Sequence, residues 1–253
     1  MMRGDDVASM QRQLGALGFD AGRPDGVFGA LTDSALRDFQ RNVGLTDDGI
    51  CGPGTVLALR RYSTKITGRV IVAGVKERVR LSETPRTLRG WRVAIGEAGG
   101  LDGAVEATRR ALVQAGATVL PLHDPSEVHQ ADQANSLSAD VYVGLTLDPS
   151  LDGCRTSYFL GHNGFYSEGG RNLAEMMHRS LSNKLGLGPR GCSGTRRDAL
   201  RYTRMPAVMV ELGPPSVLVL RAAEMAEALE EALAGWVADP IPEGGISRAK
   251  QSG

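Results

Sequence analysis

The sequence predicts an α/β chain in two parts: a small three-helix module, then a mainly parallel sheet flanked by helices. Three observations predict it. A turn-plus-helix signature, D-G-V/I-x-G-x-x-T-x-x-A-L, occurs twice, at Asp25–Leu36 and at Asp48–Leu59. From Trp91 onwards, short apolar runs alternate with helical stripes, the pattern of strands joined through helices. Finally, Ala207–Leu212 is an apolar run bounded by prolines, with β-branched Val208 and Val210. Its one charge, Glu211, sits near the C-terminal end, where open α/β sheets present their chemistry.

In the first part, Val7, Met10, Leu14 and Leu17 form one helical stripe, with Gly18 as its stop. Leu31, Ala35, Phe39 and Val43 form a second, and Val56, Leu57 and Arg60 mark a third, shorter helix that Pro53 can begin. In each copy of the signature Asp-Gly supplies the turn, and the second glycine is expected to hold a conformation that a Cβ would resist. Residues 63–90 read as a linker interrupted by glycines, with a strand-like patch at Arg69–Val75.

In the second part, strands are expected at Arg92–Ile95, Thr118–Leu122, Val141–Leu147, Thr156–Leu160 and Ala207–Leu212. Helices are expected at Gly103–Ala115, Glu127–Leu137, Gly169–Leu185 and Arg221–Val237. The divisions are then 4–62, a linker at 63–90, a sheet domain at 91–238, and a tail at 239–253 expected to be disordered.

Zero net charge excludes a global field favouring nucleic acid or an anionic membrane. No apolar run reaches the ~20 residues of a spanning helix. Cys51, Cys154 and Cys192 are widely spaced and odd in number, which suggests reduced thiols rather than disulfides or a cysteine zinc site. With no signal-like N-terminus, a cytoplasmic location is expected.

Gln11, Leu14, Gly18, Asp25-Gly26, Phe28-Gly29, Thr32, Phe39-Gln40, Asp48-Gly49 and Gly52 carry a resemblance to the peptidoglycan-binding domain 1 family of three-helix modules. Ala134-Asn135 with Ala139–Val143, Gly170–Glu175, Arg190–Cys192 and Met205–Gly213 resemble the zinc-dependent N-acetylmuramoyl-L-alanine amidases of the amidase 3 type. Gly4–Ala8, Asp48–Pro53 and Gly170–Ala174 through Thr203–Pro206 also resemble the CwlM-like group of actinobacteria.

Members of that amidase family hold one zinc through two histidines and a glutamate, with a second glutamate as general base. Zinc lowers the pKa of its bound water to about 7 and polarises the amide carbonyl. On this resemblance Glu211 takes the general-base position, while Ala98 and Thr146 take the places of the two histidines. The loop that would carry the metal glutamate is missing between Gly100 and Gly103. No zinc or other cofactor is therefore expected. His123, His129, His162 and His178 read as ordinary histidines, with neither His123 nor His129 at a strand end beside Glu211, and the cysteines lack an obvious partner.

Arg190, Arg196, Arg197, Arg201 and Arg204 cluster before the last strand, and guanidinium forks suit carboxylate or phosphate partners. A solvated basic face explains the cluster equally well. The resemblance implies a pseudoenzyme that binds peptidoglycan fragments or precursors. It also implies regulation of the precursor-synthesis enzyme MurA, under a Ser/Thr kinase; in the tail only Ser247 and Ser252 offer a hydroxyl. A zinc hydrolase with a non-standard site, and a simple wall-binding protein, are the alternatives.

Overall fold

A computed structural model describes residues 4–64, 72–161 and 165–242. The chain divides into two compact units, Met1–Val79 with Leu160–Tyr166, and Arg80–Phe159 with Ser167–Gly253.

The first unit holds α1 (Asp5–Ala16), α2 (Ala30–Asn42) and α3 (Pro53–Thr64). Leu14, Leu17, Leu36 and Phe39 are fully buried between them. Phe39 takes Phe19 and Tyr62 edge-on, at 5.6 and 6.4 Å between ring centres.

The repeated signature is fixed by a repeated hydrogen-bond clasp. Buried Gln11 donates from Nε2 to Asp25 Oδ1, Val27 O and Thr32 Oγ1, and accepts from Gly26 N at Oε1. Buried Gln40 does the same with Asp48 Oδ1, Ile50 O, Thr55 Oγ1 and Gly49 N. The left-handed residue of each copy is the first glycine, Gly26 at φ 74° and Gly49 at φ 71°. Gly29, expected to be the special position, has an ordinary φ of −109°.

Part of the expected linker is helical: α4 runs over Val72–Glu83, and Leu81 and Leu88 belong to the core of the second unit. Of the strand-like patch, residues 69–71 lie outside the described residues and the remainder begins α4.

The second unit continues with β1 (Arg92–Glu97), α5 (Asp102–Gln114), β2 (Thr118–His123), α6 (Glu127–Ser136), β3 (Val141–Leu147) and β4 (Gly153–Phe159). Then come α7 (Glu168–Leu185), β5 (Pro189–Thr195), α8 (Asp198–Tyr202), β6 (Ala207–Gly213), α9 (Pro215–Leu220) and α10 (Ala222–Ala238). The sheet order is β2-β1-β3-β6-β4-β5. All described pairings are parallel except β4 with β6.

Alternation along the strands sends Val93, Ile95, Val143, Val208 and Val210 into the larger core with residues of α5, α7 and α10. Trp91 and Trp236 meet edge-on there at 5.4 Å, and the Trp236 indole N–H donates to Gly169 O at 2.9 Å. Ala94, Tyr142, Ala207 and Met209 point the other way, into a smaller core with residues of α6 and α8. Gly144 lies between these bulky side chains, where an added Cβ would come within 2.3 Å of Met209 Sδ.

Candidate functional site

Glu211 is the next outward step after Ala207 and Met209, so its side chain emerges on the face covered by α6 and α8. Strand register places Thr146 opposite it on β3 and Arg155 opposite it on β4. Arg155 Nη1 lies 3.2 Å from Glu211 Oε2, and Arg197 Nη1 lies 2.7 Å from Oε1.

Arg197 also grips Glu127, the first residue of α6, through Nε at 2.9 Å and a second contact from Nη2. Glu127 in turn accepts the backbone N–H of Ala199 at 3.3 Å. Burial pulls the Arg197 guanidinium down, but Glu127 and Glu211 outweigh it and hold the group above its usual pKa. Beside this set, burial pushes the Tyr142 phenol upward, with Glu127 adding to the shift. The Tyr142 hydroxyl donates to Gln130 Oε1 at 2.5 Å.

Thr146 thus lies beside Glu211 on its strand neighbour. Glu97 pairs with Leu145, so Ala98 continues β1 to the level of Thr146. Neither side chain is a zinc ligand at that level. Two guanidinium groups already hold the Glu211 carboxylate, and a dication placed there would be repelled by both. The residues around Glu211 do not fit the family's zinc.

The five arginines do not make one patch. Arg190 sits near the start of β5, where Nε donates to Asp152 O at 2.6 Å. Arg196 and Arg197 follow the end of that strand, roughly 20 Å away at ~3.3 Å per residue. Arg197 is committed to Glu127 and Glu211, Arg201 is half-buried on α8, and the backbone N–H of Arg204 donates to Asn135 Oδ1. Arg196 is exposed. Arg155 and Glu127 were not foreseen in this network. The one signal for Arg155 is a charge within a strand.

His123, one residue past the expected strand Thr118–Leu122, is the last residue of β2, in register with Glu97 at the end of β1. Its Nδ1 lies 2.9 Å from Glu97 Oε1. His129 lies 3.5 Å from Asp124, and burial lowers the pKa of His178 on α7. His162, Ser247 and Ser252 lie outside the described residues. Burial pushes the Cys154 thiol up to about 12 and raises Cys51 and Cys192 as well, the opposite of an activated nucleophile. Among the described residues, no helix is long and apolar enough to cross a membrane.

Residues 3–59 match the family described as "Putative peptidoglycan binding domain". Over 238 residues the chain is 33% identical to N-acetylmuramoyl-L-alanine amidase CwlM of Mycobacterium tuberculosis, covering 83% of this chain and 58% of that protein. Over 52 residues it is 48% identical to the spore cortex-lytic enzyme of Bacillus cereus, covering 21% of this chain and 20% of that enzyme. The chain therefore spans only part of the length of both relatives. Among solved structures, the N-acetylmuramyl-L-alanine amidase Ami1 of Mycobacterium smegmatis superposes with a TM-score of 0.50 at 18% identity. That match covers 60% of this chain and 98% of Ami1, and shows a shared fold.

Proposed function

From a chain that carries a peptidoglycan-binding domain ahead of an amidase-family domain, we propose a catalytically inactive N-acetylmuramoyl-L-alanine amidase homologue that binds and regulates in peptidoglycan biosynthesis. One observation carries this reading: Glu211, at the general-base position, is tied to Arg155 and Arg197 while Thr146 faces it. A general base needs a hydrogen-bond path to the proton it takes. Each Glu211 oxygen faces a guanidinium instead, and Thr146 offers no imidazole to hold a zinc-bound water within its reach.

The partners in this reading are peptidoglycan fragments or precursors. Its likeness to the CwlM-like group extends it to MurA and a Ser/Thr kinase as protein partners, in the cytoplasm.

The test is release of peptide from purified peptidoglycan by the full chain. Neither the wild type nor E211Q is expected to release any. Release by the wild type that disappears in E211Q would overturn the reading in favour of a hydrolase with a non-standard site.

A further inference from the structure

We infer that Glu97, Asp102 and His123 form a divalent-cation site, separate from the Glu211 position and suited to a zinc-type ion with one nitrogen and two carboxylate ligands. One donor atom from each residue lies within 4.8 Å of the other two. Zinc bonds of ~2.1 Å to nitrogen and oxygen put neighbouring ligands roughly 3–4 Å apart, so small rotations of two exposed side chains close the set. Those two are Asp102 and His123; Glu97 is 3% exposed and gives the fixed point.

The backbone builds this convergence. Glu97 and His123 end adjacent parallel strands in register. Gly99 and Gly100, at φ 117° and 90°, turn the chain so that Asp102 starts α5 next to Glu97. The Gly99 N–H donates to Glu97 Oε2 at 2.8 Å, which leaves Oε1 directed at His123.

Simpler readings explain the parts separately. An acid at a helix start favours the helix dipole, and a carboxylate beside a histidine makes an ion pair. Neither explains why a buried carboxylate should have a second carboxylate as well as the imidazole for company. A dication held by the three side chains offsets both carboxylate charges.

The location separates this site from amidase chemistry. Val93 and Ile95 point into the larger core, so Glu97 faces the α5 side of the sheet. Glu211 faces the α6–α8 side, so it does not stand over an ion held by Glu97. The site holds the ends of β1 and β2 to the start of α5, with an open position for water or an anionic group.

The experiment titrates the full chain, stripped with a chelator, with Zn2+ alone by calorimetry. One equivalent is expected for the wild type and for H129A. D102N and H123A should each bind at least about tenfold more weakly. Asp102 is exposed, so D102N tests the site even if H123A fails to fold. Absence of saturable binding, or wild-type affinity in D102N and in folded H123A, overturns the site. Peptide release from the wall is a separate readout and does not bear on it.

Discussion

Arg197 is the residue on which the Glu211 corner depends. Its side chain is 26% exposed, and those of its partners Glu127 and Glu211 are 28% and 21% exposed. Groups at that depth are screened less than surface pairs, and removing the shared cation takes a guanidinium away from two half-buried carboxylates at once. R197A should therefore destabilise the second unit by about 1–3 kcal/mol, and R197K should recover part of the loss. Urea unfolding followed by fluorescence of Trp91 and Trp236, both in that unit, measures it. An unchanged midpoint in R197A would mean the network carries no net stability. The sequence placed Glu211 at a strand end but said nothing of Arg155. That partner depends on β4 running antiparallel to β6, and register between strands distant in sequence leaves no local trace. His123 falls one residue past the expected strand for a related reason. The apolar signal of this edge strand ends at Leu122, and a polar last residue leaves no mark of its own.

At the scale of elements, the clasp of Gln11 and Gln40 explains why the turn signature repeats. Each glutamine uses both ends of its amide to fasten an Asp-Gly turn to the helix that follows. Q40L keeps the volume but strands the Gly49 N–H and weakens the hold on Asp48. The expected cost is about 2–3 kcal/mol. The direct measurement is amide exchange at Gly49, which should lose protection while Gly26, held by Gln11, keeps it. Equal loss at both sites would show that the two turns do not act separately.

The strongly patterned elements were legible. The expected strand at Val141–Leu147 has those bounds in the structure, and the expected helix at Gly169–Leu185 begins one residue earlier. The missed ones lack a pattern to read. β5 is a largely polar edge strand needing no apolar run, and α8 spans five residues. α4 was hidden by the glycine and charges inside a 12-residue helix.

For the whole molecule, the proposed role divides between attachment and an unreactive amidase fold. The first unit carries the peptidoglycan-binding family match, and among its described residues Leu57 at 68% and Ile50 at 66% are the most exposed large apolar side chains. Single exposed apolar residues are ordinary, but here one lies in the second Asp-Gly turn and the other on the helix that follows it. A sugar face or a stem-peptide side chain has apolar surface to set against such residues. The full chain should therefore co-sediment with purified insoluble peptidoglycan, and I50D combined with L57D should reduce the bound fraction several-fold. Neither change removes a buried group, so the far-UV circular dichroism should stay that of the wild type. R196E tests the other route of attachment, through the exposed arginine after β5, and is expected to leave sedimentation unchanged. A loss with R196E and none with I50D/L57D would move wall binding from the first unit to the second. No sedimentation of the wild type would turn the proposed role towards soluble precursors and protein partners.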